Sequence, residues 1–407
     1  MTRSVYVVGV GVTKFAKPGT IGDYPEFGKQ AVQEALADAG VEYAVVQQAV
    51  CAYIAGDSTS GQRVLYQVGM TGIPIYNINN GGATGGSGLY LAKQLVEGGI
   101  IDVALVLGFE KMSFGALKTA TLTDRASPYD IHVEKVLGLL KDAQPGVPMT
   151  ALAFGNAGIE HMKKYGTTEL HFAKIAAKNY RHASKNPKAY NSRECTVEEI
   201  LSSRKIHGPL TKLQCCPTND GASAAILMSH DAVVRYGLQR KAVEIIGMEM
   251  ATDTPDVFEN PTFMKITGTD MTRLAATRLY KKTGISPKQI DVVELHDCFS
   301  CNELISYELL QLCEEGEGGK FVDAGANTYG GQVVVNPSGG LIAKGHPLSA
   351  TGVAQCAELC WQLRGEAGDR QVKGARIGLQ HNLGLGGAAV VALYRKGFAD
   401  HSVQAKL

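Results

Sequence analysis

No apolar run in this 407-residue chain approaches the roughly 20 residues needed to cross a bilayer, so no membrane span is expected. Met1 to Val5 lack the charged flank, apolar core and small-residue cleavage site of a secretory signal. Neither sign of charge is in excess: 40 Lys+Arg against 39 Asp+Glu leave a net charge of +1. That balance excludes binding to nucleic acid or a membrane surface through bulk charge, although a local basic patch could still meet an anion. A second CxxC is missing. Cys298…Cys301 stands alone, so a four-cysteine zinc site cannot be completed and no metal is expected. The nine cysteines are odd in number and irregularly spaced, which suits reduced thiols in an intracellular compartment. No GK[ST] follows the glycines of Asn79–Gly88, which removes a nucleotide-phosphate cradle. GATGGSG also lacks the strand pattern and later acid of a dinucleotide site.

The chain has 45% hydrophobic and 19% charged residues, enough to bury a sizeable core in two domains or one large duplicated unit. Val5–Val12 (VYVVGVGV), Gln48–Ile54 and Val103–Leu107 read as strands, and Tyr24–Ala39 and Gly88–Glu97 as helices. From Met112 to about Leu213 charge, His, Lys and Pro accumulate, which predicts a mostly helical excursion that could cap a site. Asp220–Met228 and Val243–Met250 resume the sheet. A second series then follows from about Met264: helix Leu274–Thr283, strand Val292–Leu295, helix Ala354–Arg364 and strands Arg376–Leu379 and Ala388–Tyr394. The alternation predicts an α/β sandwich with a largely parallel sheet. The two halves share an element order without a visible sequence repeat.

Four glycine-rich turns carry the chemistry: Asn79–Gly86, Asn336–Gly340, Gly345-His346-Pro347 and Asn382–Gly387. Glycine lets backbone approach a ligand closely, and N–H groups where a strand turns into a helix make an oxyanion site. His296, at the end of a strand in ELHDCF, and His346, between Gly345 and Pro347, occupy specific settings. His381, just before the fourth turn, is intermediate. His161, His182, His230 and His401 read as solvated surface residues.

These motifs resemble the sterol-carrier-protein-X branch of the thiolases. The resemblance runs from about Val5 to Phe398 through VYVVGVGVTKF, LGFEKM, LQCCPTNDGASAAI, VVELHDCFS, NPSGGLIAKGHPLSATG and LQHNLGLGG. It implies a five-layered αβαβα fold of two similar halves, 1–250 and 251–398, with a loop domain at about 112–213 inserted in the first. It also implies a homodimer, CoA as substrate or ligand with no separate cofactor, and peroxisomal cleavage of 3-oxoacyl-CoA. In that reaction a cysteine thiolate attacks the 3-keto carbon, the C–C bond breaks to an enolate, and CoA resolves the acyl-enzyme. Carried over, His346 stabilises an oxyanion and activates the nucleophile, His296 completes the enolate hole and Cys298 is the acid/base. Gly384 offers a backbone N–H beside that of the nucleophile position, with Asp297, His381 and Asn382 in support.

The family pattern Asn-Asn-Asn-Cys-Ala-Thr-Gly reads Asn79-Asn80-Gly81-Gly82-Ala83-Thr84-Gly85 in this chain, so Gly82 stands where the cysteine belongs. Ser60, Gly86, Gly88 and Ser349 depart as well. The resemblance therefore implies an acyl-CoA-binding protein with impaired thiolysis. The alternatives are an acyltransferase or decarboxylase that uses Cys298, and a sterol or lipid-transfer protein. Transfer through the family's C-terminal lipid-binding domain is not expected, since nine residues follow Phe398. In the tail, 399–407, Ala405-Lys406-Leu407 has the form of a peroxisomal address, which predicts binding to the import receptor.

Overall fold

Ten strands share one sheet, and their order repeats. The computed structural model describes residues 3–112, 125–140 and 146–398. The first half comprises β1 (Val5–Val12), α1 (Tyr24–Ala39), β2 (Gln48–Ala52), β3 (Ile75–Ile78), α2 (Thr84–Glu97), β4 (Val103–Glu110) and β5 (Gly221–Ser229). The second comprises β6 (Val243–Ala251), α3 (Thr269–Thr283), β7 (Val292–Glu294), α4 (Ser300–Leu309), β8 (Val334–Val335), α5 (Leu348–Arg364), β9 (Ile377–Gly384) and β10 (Ala388–Lys396). Across the sheet the strands run β8-β7-β9-β10-β6-β1-β5-β4-β2-β3. Ranked within its own half, each set of five reads 3-2-4-5-1. The parallel and antiparallel pairings match as well, so the duplication lies in topology rather than in residues. The halves join where β1 meets β6, through only Tyr6↔Glu244 and Val7↔Val243.

Alternation along the strands sorts side chains into layers. In β10, Val390, Ala392 and Tyr394 face a central core with Leu89, Ala92 and Val96 of α2 and Val353, Ala357 and Leu359 of α5. Ala389, Val391 and Leu393 face the opposite way, onto Met271, Ala275 and Leu279 of α3 and Leu304 and Tyr307 of α4. In the first half, Leu105 and Leu107 of β4 turn outward onto Phe27, Val32 and Ala35 of α1. The stack is α1, five strands, α2 with α5, five strands, and α3 with α4, which gives five layers. α1 is punctuated at both ends. A capping box pairs Asp23 with Glu26, and Gly40 closes the helix at φ 72°. The α5 helix is buried along almost its whole length, as expected of a central-layer helix.

Two expectations need correction. The sheet is mixed rather than largely parallel, with five antiparallel and four parallel pairings, because β5 runs antiparallel to both β4 and β1, β10 to both β9 and β6, and β1 to β6. His161 and His182 are buried, not solvated. His161 lies between Thr167 Oγ1 (2.9 Å) and Glu308 Oε1 (3.0 Å). His182 donates from Nδ1 to the Asn336 carbonyl (3.0 Å), and burial pushes its pKa down to about 3. His230 is half exposed, and His401 lies outside the described residues. The excursion between β4 and β5 carries helices Met149–Tyr165 and Glu169–Ala183 and a short hairpin, Lys205–His207 with Leu210–Thr211. The tail residues Ala405, Lys406 and Leu407 lie outside the described residues. No helix among those described is long and apolar enough to cross a membrane.

Candidate active site

Asn382 ties the first and fourth glycine turns together. It sits two residues before the end of β9 and faces the central helices. Its Nδ2 donates to the Gly82 carbonyl (3.0 Å), and its Oδ1 accepts the Gly86 N–H (3.0 Å). The turn before α2 is thus clamped to the end of β9. Thr84 closes that turn from within, donating to the Gly81 carbonyl (2.5 Å) and accepting the Asn80 N–H (2.8 Å). Its hydroxyl proton is committed, so Thr84 cannot replace the missing thiol. A Cβ on Gly384 would strike the Asn80 carbonyl, which explains glycine at that contact.

His296 stands over the nucleophile position. Its Cε1, the ring carbon bonded to both nitrogens, lies 3.2 Å from where a Cβ on Gly82 would be. Its Nδ1 accepts the Leu383 N–H (3.3 Å). A backbone N–H can only donate, so Nδ1 is the bare nitrogen and the proton of the neutral ring sits on Nε2. His346 has the opposite polarity. Its Nδ1 meets Thr351 Oγ1 (2.6 Å), whose own proton is donated to the Pro347 carbonyl (3.1 Å). The His346 Nδ1 therefore donates, and Nε2 carries a lone pair. No described residue bonds Nε2 of either ring. The rings stand edge to face, centroids 5.0 Å apart at 87°. Burial, then the neighbouring His346, holds His296 well below its usual range, and burial pushes His346 down to about 3. Both rings are neutral at pH 7. The site thus presents one N–H donor and one nitrogen acceptor.

The remaining candidates divide. Cys298 is buried, and its thiol is pushed well above its usual range by desolvation and then by Cys216 and Cys301. It holds its proton at pH 7, which suits an acid and not a nucleophile. Asp297 turns away to accept the Leu341 N–H (2.7 Å), the Ile342 N–H (3.3 Å) and Asn179 Nδ2 (2.8 Å). It fixes the turn Gly340–Lys344 that leads to His346. His381, adjacent to Asn382 on a strand, faces the other side and meets Thr272 Oγ1 (3.1 Å). The Ser349 hydroxyl donates to Glu110 Oε2 (2.7 Å), tying the start of α5 to the end of β4. Ser60 donates to the Asp57 carbonyl (2.7 Å). Gly86 leaves room for Asn382, whose Oδ1 would lie 2.8 Å from a Cβ there. Nothing in the structure assigns Gly88 a role beyond close packing on Val106.

Sequence reasoning missed a group that borders the same turns. The Tyr129 hydroxyl lies 3.7 Å from where a Cβ on Gly81 would be, and the Tyr129 ring packs on Gly386. One helical turn on, His132 Nε2 meets Asp253 Oδ2 at 2.9 Å. His132 Nδ1 and Asp253 Oδ1 are buried without a partner among the described residues. Tyr129 and Asp253 are more than 100 residues apart in the chain, and no motif joins them. Among the described residues no three His, Cys, Asp or Glu side chains converge as a metal-holding group.

Comparison with known proteins places this geometry. The family "Thiolase, N-terminal domain" matches residues 5–231, and "Thiolase C-terminal domain-like" matches 251–395. Sterol carrier protein 2 of Oryctolagus cuniculus is 56% identical over 399 residues, covering 97% of this chain and 72% of that protein. Non-specific lipid-transfer protein-like 2 of Caenorhabditis elegans is 49% identical, covering 97% of this chain and 96% of that one. Among solved structures, the Ltp2-ChsH2(DUF35) aldolase superposes with a TM-score of 0.81 at 24% identity, covering 98% of this chain and 99% of that chain. The chain belongs to the thiolase family and, within it, to the group of the sterol carrier protein 2 thiolases.

Proposed function

We propose that this thiolase-family protein of lipid metabolism binds acyl-CoA at the glycine turns around position 82 and does not carry out thiolysis. The observation that carries the reading is position 82, which has no side chain while an oxyanion donor on His296 and the clamp at Asn382 stand around it. Thiolysis needs a thiolate there. Cys298 does not supply one, because burial keeps it protonated. CoA enters this reading as part of the ligand. Calorimetric titration with octanoyl-CoA should show saturable binding, weakened in His296→Ala. Heat no different from buffer would end the proposal.

A homodimer belongs to the same reading. The edge strand β3 is half exposed, and Tyr66 (54%), Met70 (77%) and Tyr76 (41%) are open beside it. An open apolar edge calls for a cover. The opposite edge, β8, is buried. Light scattering at micromolar concentration should give twice 43.3 kDa, and a 43.3 kDa species alone would contradict the dimer. A peroxisomal location is proposed from the family resemblance and Ala405-Lys406-Leu407. Removing Leu407 from a fluorescent fusion should turn a punctate pattern diffuse, and unchanged puncta in cells lacking the intact chain would count against it.

A further inference from the structure

Four of the nine cysteines lie on two segments that run side by side. Cys215 pairs with Phe299 in an isolated antiparallel bridge, and the Cys216 N–H donates to the Cys298 carbonyl at 2.9 Å. One step along the ladder from the Cys215↔Phe299 pair, Cys216 stands directly opposite Cys298. Their side chains leave the ladder on the same face, and Cys215 leaves on the other. Residues opposed in a hydrogen-bonded pair have Cα atoms about 5.5 Å apart, inside the span of roughly 4.4–6.8 Å that a disulfide bridges.

The sequence offers Cys298 a different partner, since Cys298…Cys301 is the chain's one CxxC. The structure takes Cys301 out of that pair. Its thiol donates to the Phe154 carbonyl at 3.1 Å, and it is buried in the first turn of α4 against Gly158. The Cys215 thiol is committed as well, to the Thr211 carbonyl at 3.3 Å. No described residue accepts a hydrogen bond from the thiols of Cys216 and Cys298. After burial itself, Cys216 is the group that acts most strongly on the Cys298 thiol, and Cys216 is the partly exposed member of the pair.

We infer that Cys216 and Cys298 form a reversible dithiol–disulfide pair, through which an oxidant of the peroxide class takes the Cys298 thiol out of the site. The inference goes beyond acyl-CoA binding and does not rest on it. The Cys216 sulfur attacks one peroxide oxygen, the O–O bond breaks, and a sulfenic acid is left with release of water. The Cys298 sulfur then attacks the sulfenic sulfur, the S–O bond breaks, and the S–S bond forms with release of a second water. The two thiols lose two electrons and two protons, and the peroxide gains both. An added dithiol reverses the step by exchange. Burial raises both thiols above their usual range, so thiolate is scarce and the oxidation is slow. Once closed, the pair has no Cys298 proton to give.

The test treats the full chain with excess hydrogen peroxide, quenches with catalase, unfolds the chain in N-ethylmaleimide and maps its peptides by mass spectrometry. The treated chain should carry two fewer maleimide groups than the untreated one, with one cross-link joining Cys216 to Cys298, and dithiothreitol should restore both thiols. Cys216→Ser and Cys298→Ser should each lose the cross-link, while Cys215→Ser and Cys301→Ser keep it, with circular dichroism checking that each variant is folded. The wild-type map decides the pairing even where a variant fails to fold. A cross-link from Cys298 to Cys301, or one at Cys298 that survives in Cys216→Ser, overturns the pairing. Sulfinic acid on single cysteines without a cross-link, or all nine thiols intact after peroxide and after diamide, overturns the switch.

Discussion

Mixed with a 3-oxoacyl-CoA and free CoA, the protein should form shortened acyl-CoA on the order of 10⁶-fold more slowly than a cysteine-bearing thiolase. That factor is the usual loss when a nucleophile acting as part of a unit is removed. It holds because no described residue nearby substitutes. Thr84 gives its proton to the Gly81 carbonyl, and Ser87 accepts from Asn80 Nδ2 at 3.0 Å. The Cys298 thiol is kept protonated by burial. The assay is loss of the 3-oxoacyl-CoA absorbance at neutral pH. Turnover at roughly 1–10³ s⁻¹, abolished by Cys298→Ala, would show that Cys298 had taken the role.

The second large effect concerns Gly82→Cys. A cysteine at the start of α2 should have its pKa lowered by the helix N-terminus, react quickly with iodoacetamide and trap an acyl group. The backbone opposes full repair. A Cβ at position 82 would lie 2.6 Å from the Leu383 carbonyl, closer than real contacts allow, so the turn and the end of β9 must separate. That separation strains the bonds by which Asn382 holds Gly82 and Gly86. The variant should lose about 1–3 kcal/mol of stability, as overpacked sites do, and regain only a small part of thiolysis. Melting temperature, alkylation rate and turnover measured on one preparation test this together. Wild-type stability with turnover of 1–10³ s⁻¹ would mean that the turn adapts freely.

Much of the fold was legible because apolar β-branched runs declare themselves. Val5–Val12 and the strand at Val103 stand out, and helical apolar spacing marks α1 over Tyr24–Ala39. Elements buried on all sides were hard to read. All ten residues of α4 are buried, so it shows no polar face to set the helical period. The first turns of α2 and α5 hide in glycine, serine and threonine, and so both helices begin earlier than composition suggests. In the site, His296 and His346 were legible from their motifs, but their opposite tautomers were not. The donor to His296 is a backbone N–H 87 residues away, and the partner of His346 is a hydroxyl five residues on. His381 and Asn382 could have been separated from sequence alone. Extending the strand to Gly384 puts neighbours on opposite faces. Tyr129, His132 and Asp253 left no local signal, because long-range packing brings them to the glycine turns.

Binding of the ester without an enzyme-bound acyl group is read directly from one pair of mass spectra. Protein incubated with 3-oxooctanoyl-CoA is split and weighed by native and by denaturing mass spectrometry. The native spectrum should show the complex with the CoA ester, and the denaturing spectrum only the unmodified 43.3 kDa chain, with no acyl group on any residue. A denatured chain heavier by one 3-oxooctanoyl or hexanoyl group would show that a side chain attacks the ester, and peptide mapping would name the residue.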